Sequence, residues 1–185
     1  MKRWILLSAL LLSGSIAQGA ELLINGDFEE ALDVGWETLL VGDGASVDRG
    51  QDYDLDLDYE AHTRKLTGIG QATLTQTRMI PSPNVDFTAR ICPHAVASGT
   101  AWAAAGVGLS YLDENNHVLG QTRICARTAY CTWTNGPTSH LIVAPDNSWS
   151  THAFSLEDEL VNLPGIEPNA IVRVRVEVFS YVNHC

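Results

Sequence analysis

Asp52, Asp54, Asp56 and Asp58 alternate with Tyr53, Leu55, Leu57 and Tyr59, a spacing that sets four carboxylates on one face of an extended segment. Like charges so placed repel unless a cation or a basic neighbour compensates, and Arg64 and Lys65 follow closely. The register is not that of an EF-hand, because Leu57 stands where its glycine belongs and Thr63 where its last glutamate belongs. The segment reads as a solvated acidic face. A second set of candidates is aromatic. Trp36, Tyr53, Trp102, Tyr130 and Trp133 lie outside the clearest core strands, and the apolar C–H faces of pyranose rings pack on such π-faces. Trp102 and Trp133 flank a strand that carries Gly106, Gly108 and Ser110 on one side, where small side chains would leave room for a ligand. Arg123, Gln121 and Asn135 could bond sugar hydroxyls.

The chain also carries an address. Lys2 and Arg3 precede an apolar run from Trp4 to Leu12 that is too short for a stable membrane span, and Ala17 and Gly19 form a small-x-small step before Ala20. Residues 1–20 are therefore expected to be a signal peptide, residues 21–185 one exported domain, secreted or periplasmic and not inserted in a membrane. The formal net charge is −11, and two units more negative without Lys2 and Arg3. Such a surface repels phosphate backbones, so no nucleic-acid partner is expected.

Export bears on the four cysteines, Cys92, Cys125, Cys131 and Cys185. An even number in an oxidising compartment reads as two disulfides, and no C-x-x-C pair points to zinc. Three pairings are open; the short polar stretch between Cys125 and Cys131 could close a small loop, leaving Cys92 for Cys185. The six histidines, His62, His94, His117, His140, His152 and His184, show no metal-ligand spacing and read as surface or packing residues. No G-x-S-x-G elbow is present, and no acid–base pair can be picked from the many carboxylates because their separation is spatial. The expectation is a protein that is not an enzyme.

The elements that would position these groups are strands. In residues 171–182, Val172, Val174, Val176, Val178 and Val182 share one face, with Arg173, Arg175 and Glu177 on the other. Residues 85–92 alternate likewise, with Val85, Phe87, Ala89 and Ile91 inward, which puts Cys92 outward. The last strand's parity puts Cys185 on an outer face too, so a bridge between them requires the two strands to be neighbours. Further strands are expected over 71–80, 103–112, 118–125, 138–144 and 151–156, with a hairpin turning at Asp113-Glu114-Asn115-Asn116. Only 156–163, ahead of Pro164-Gly165, suits a turn or two of helix. Many short strands and no long helix indicate an all-β sandwich or barrel.

The segment Leu22-Leu23-Ile24-Asn25-Gly26-Asp27-Phe28-Glu29-Glu30, followed by Gly35-Trp36-Glu37, resembles the opening of galactose-binding-like jelly rolls, especially carbohydrate-binding modules of secreted glycoside hydrolases. Residues 71–81, 85–91 and 107–115, Trp149 before the Phe154 strand, and the valine-rich end follow in the family's order. The resemblance implies an antiparallel β-sandwich of jelly-roll type with a glycan or polysaccharide partner. It also implies a structural calcium, for which the Gly26 carbonyl and the Glu29 carboxylate are the matching ligands. The chain departs from the pattern where members continue into a strand with an Asp-Asp pair. From the residues alone, Asn25-Gly26-Asp27 reads equally as a turn and Glu29 as a solvated carboxylate. The expected function is a secreted, non-catalytic glycan-binding sandwich with Trp36, Trp102, Trp133, Tyr130, Arg123 and Gln121 at its site. The alternative is a structural or adhesive surface protein with the same fold and no sugar site.

Overall fold

The valine alternation near the C-terminus builds the 12-residue strand β10 (Arg173–His184), whose Val174, Val176 and, partly buried, Val178 face the core. In chain order it follows β1 (Glu37–Val41), β2 (Ala45–Gly50), β3 (Glu60–Lys65), β4 (Gly70–Met79), β5 (Asp86–Ile91), β6 (Ala101–Leu112), β7 (Val118–Arg127), β8 (Ser139–Val143) and β9 (Ser150–Ser155). The computed structural model describes residues 21–51, 57–97 and 101–184. The expected signal peptide, Asp52, Tyr53, Asp54, Asp56 and Cys185 lie outside the described residues.

Six strands form one sheet in the order β1-β4-β10-β6-β7-β8, while β2-β3 and β5-β9 form two-stranded sheets. The protein is an all-β sandwich. One face of the large sheet, with Leu74, Val107, Leu109, Tyr111, Ile124, Val174 and Val176, packs against Phe87 of β5 and, partly buried, Val47, Ala61 and Phe154 of the other small strands. Leu74 and Leu109 are fully buried, and each contributes about 2–3 kcal/mol by leaving water. The expected helical turns are present as α1 (Leu156–Glu159), capped by the Ser155 hydroxyl on the Asp158 N–H at 3.1 Å, and a 3-10 turn over Leu160–Asn162. Their Leu156, Leu160 and Leu163 close one end of the core.

The expected β6–β7 hairpin forms, with Asn116 at φ 65° in its turn. Three features differ from the sequence reading. First, β8 joins β7 in parallel, Gln121 opposite Ser139 and Cys125 opposite Val143, although every other strand pair is antiparallel; the chain between Arg127 and Ser139 is long enough to return before pairing. Second, β1 to β3 carry no clean alternation: β1 is exposed at every position, so no core face marks it in sequence. Third, the expected Cys125–Cys131 bond is not formed. Both side chains are buried in one cluster as free thiols, and burial pushes the Cys125 thiol up to about 12. Cys92 is exposed, as its parity predicts; the pairing expected with Cys185 lies outside the described residues.

Candidate functional site

The second face of the large sheet is set by the other parity of the same strands. Across β10, β6 and β7 the register aligns Arg175 with Ser110 and Gln121, Glu177 with Gly108 and Arg123, and Phe179 with Gly106 and Cys125. Gly106 is required by packing: an added Cβ would lie 2.1 Å from the Ile124 carbonyl oxygen. The room these glycines leave is not empty, however. The Phe179 ring is buried beside them, with its Cε1 3.7 Å from where a Cβ on Gly108 would sit.

The aromatic group then assembles around a loop. After β7 the chain turns back, with the Cys131 N–H donating to the Thr128 carbonyl at 3.1 Å. Arg127 Nη1 donates to the carbonyls of Cys131 (2.9 Å) and Trp133 (3.1 Å), tying the loop to the strand. This seats Trp133 edge-on against Trp102 (5.4 Å between ring centroids), Phe179 (5.7 Å) and Tyr181 (5.8 Å), while Phe179 and Tyr181 stack at 5.0 Å. The Arg123 guanidinium lies over the Trp133 ring, 4.4 Å from its centre, and donates to Gln121 Oε1. Gln121 in turn donates to the Ser110 hydroxyl at 3.0 Å.

Beside these rings opens a hollow of about 320 Å³, whose walls include Trp102, Trp133, Tyr181, Arg123, Gln71 and Asn183. One wall residue, Tyr181, is tied to a carboxyl outside the lining. The Tyr181 hydroxyl donates to Glu177 Oε1 at 2.6 Å. Burial pushes the Glu177 carboxyl above its usual range, against the opposing pull of that hydrogen bond, Arg123 and Arg175. Burial and the adjacent Glu177 likewise push the Tyr181 phenol up, so it stays a donor.

Trp102, Trp133 and Arg123 therefore meet at one place, as the sequence reading required. Gln121 holds the Arg123 guanidinium and does not line the hollow. Tyr130, 55% exposed, lies on the same loop outside the lining. Asn135 accepts the Leu141 N–H at 2.6 Å and serves the loop. Trp36 is corrected outright: it is 6% exposed, packs in the main core and donates to the Asn25 carbonyl at 3.0 Å, so it offers no face to a ligand. Sequence reasoning missed Tyr181, Gln71 and Asn183. For two of them a signal existed, since the parity of Arg175 and Glu177 continues through Phe179 to Tyr181 and Asn183.

Gly26 and Glu29, the positions matched to calcium, share a loop braced by Asn25. Its side chain accepts the Glu30 N–H (2.8 Å) and donates to the Glu30 and Ala31 carbonyls (3.1 Å each). Glu29 Oε1 accepts the Tyr59 N–H at 3.1 Å. Arg49 donates to the carbonyls of Phe28 (2.5 Å) and Glu29 (2.6 Å) and stacks on the Tyr59 ring. The Arg49 guanidinium thus ties this loop to β2. Calcium takes roughly six to eight oxygens, and among the described residues no group of three or more His, Cys, Asp or Glu is assembled.

A second polar cluster faces the opposite way. Glu159, 3% exposed, accepts from Thr122 Oγ1 at 2.6 Å, pairs with His140 Nδ1 at 2.6 Å and accepts from Asn162 Nδ2 at 3.1 Å. The Tyr111 hydroxyl lies 3.0 Å from Thr122 Oγ1. His140, read from sequence as a surface or packing histidine, is a hydrogen-bond partner of the buried Glu159 side chain.

No family model matches the chain, and no curated protein matches it in sequence. Solved structures do match. One is the enzymatically active domain of bacteriophage CBA120 tailspike protein 4, with a TM-score of 0.45 and 15% identity over 88% of this chain and 19% of that one. This chain thus spans about a fifth of the length of that protein. The expectation that the protein is not an enzyme is withdrawn: the matched domain is named as enzymatically active, and a β-sandwich fold by itself neither confers nor excludes activity. At this level of likeness no particular reaction passes from that domain to this chain.

Proposed function

We propose that this protein recognises a carbohydrate in the hollow beside Trp102 and Trp133. One observation carries the reading: apolar ring faces and hydrogen-bonding side chains converge on one hollow of about 320 Å³, within the size of a small-ligand site. A sugar ring needs both surfaces, an apolar wall for its C–H face and fixed donors and acceptors for its hydroxyls. Trp102 and Tyr181 supply the wall; Gln71, Asn183 and Arg123 supply the polar contacts. Trp133 is engaged with three rings, so its role is to brace the wall. The reading includes export of a single domain, residues 21–185, by the N-terminal 20 residues, which would bring the site to extracellular or envelope glycans.

A glycan array followed by calorimetric titration tests the proposal. Trp102→Ala should weaken the best ligand by about tenfold or more, a loss in the range of one stacked ring, while Tyr130→Ala should leave it unchanged. If no glycan binds, or Trp102→Ala binds as well as the parent, the site assignment fails.

A further inference from the structure

We propose that the ligand of this hollow is an acidic sugar, a uronate-type residue whose carboxylate is received by Arg123. The inference rests on the carbohydrate reading above and names the ligand class. Among the described residues, Arg123 is the only charged one in the lining, in a chain whose formal net charge is −11. Among the described residues it enters no ion pair, and its hydrogen bond goes to the neutral Gln121 amide. A guanidinium carries five N–H donors, so most of its capacity is uncommitted.

Its orientation is fixed in advance. The guanidinium carbon lies over the Trp133 ring, 4.4 Å from its centre, and Gln121 anchors one of its nitrogens. A planar fork held in place loses little entropy on taking a carboxylate, which is the geometry that favours Arg for such partners. The acidic group nearest in the register, Glu177, sits across Gly108 from Arg123 and is already bonded to the Tyr181 hydroxyl. Arg175 of the adjacent register row also acts on Glu177, so that carboxylate is shared between two guanidinium groups and does not take up the whole charge of Arg123. The acidic remainder of the surface does not cancel it, because exposed charges beyond about 8–10 Å are screened whereas a contact pair is not.

The test compares short oligouronides with the same oligosaccharides after carboxyl reduction, in which each carboxylate becomes a hydroxymethyl group and the backbone is unchanged. With the parent protein, the uronide should bind at least about tenfold tighter than its reduced form. Arg123→Gln should erase that preference and Arg123→Lys should restore part of it. Equal or tighter binding of the reduced form overturns the acidic-sugar assignment and leaves the carbohydrate reading standing. Tighter binding of a sulfated oligosaccharide of the same backbone overturns the carboxylate in favour of another anion. Failure of both forms, together with silence on the array, overturns both readings. The reduced-ligand comparison uses the unaltered protein, so it stands even if an Arg123 variant folds poorly.

Discussion

Thr122 and Arg123 are neighbours on β7, yet they belong to opposite worlds. Thr122, fully buried, points into the sandwich and completes the Tyr111–Thr122–Glu159–His140 network. Arg123 points to the outer face, over Trp133 and into the hollow. In the inner cluster the Glu159 carboxylate is surrounded by protein donors, so its bonding is used up in holding α1 and its following turn against β7 and β8. In the outer cluster donors remain uncommitted beside open space. Satisfied polar groups in the interior fix a structure, whereas partly committed ones at a cavity are free to meet a ligand.

The largest expected effect breaks the inner side of this contrast. Glu159→Ala should cost about 3–5 kcal/mol of unfolding free energy, because it strands Thr122, His140 and Asn162 around a vacated buried carboxylate. Urea denaturation would measure it; a loss under about 1 kcal/mol would show that the network does not pin the helical segment. Tyr111→Phe should cost less, about 1 kcal/mol, since Thr122 keeps its bond to Glu159. Neither change should alter glycan affinity in protein that is still folded.

The smallest effect concerns the outer side and sharpens the comparison through pH. Glu177 has a folded-state pKa raised above its ordinary value near 4.5, chiefly by burial. A carboxyl raised on folding favours the folded state most when protonated, so its contribution declines as pH rises from about the unfolded value through the folded one, then stays level. Glu177→Gln keeps an acceptor for Tyr181 without the charge. Its melting temperature, compared with the parent across that window, should gain on the parent as pH rises; a constant difference would remove burial of this charge as a factor.

Much of this architecture could be read from periodicity. The valine alternation of 171–182, the inward set of 85–92 and the Asp113–Asn116 turn all correspond to observed strands or their hairpin. Each has one face in the core, and that asymmetry is written in the residue types. Strand β1 has no such asymmetry, which is why it was illegible. At the site, Trp102, Trp133 and Arg123 were found because aromatic and guanidinium groups beside a small-residue strand are conspicuous. Trp36 was misassigned because a tryptophan near a glycine turn looks the same whether it faces solvent or packs beside Phe28, 5.3 Å away.

The sequence by itself determined the all-β class, the strand parities and three of the groups at the hollow, Trp102, Trp133 and Arg123, because side-chain direction alternates by a local rule. Only the tertiary structure decided that β7 and β8 run in parallel and that Cys125 and Cys131 share a buried cluster without a bond. It alone placed Glu159 and His140 as partners and brought Gln71 of β4 to the same wall as Trp102 of β6. Those facts depend on which distant segments pair, and pairing is settled by the combined burial of both faces of a sheet, which no single segment encodes.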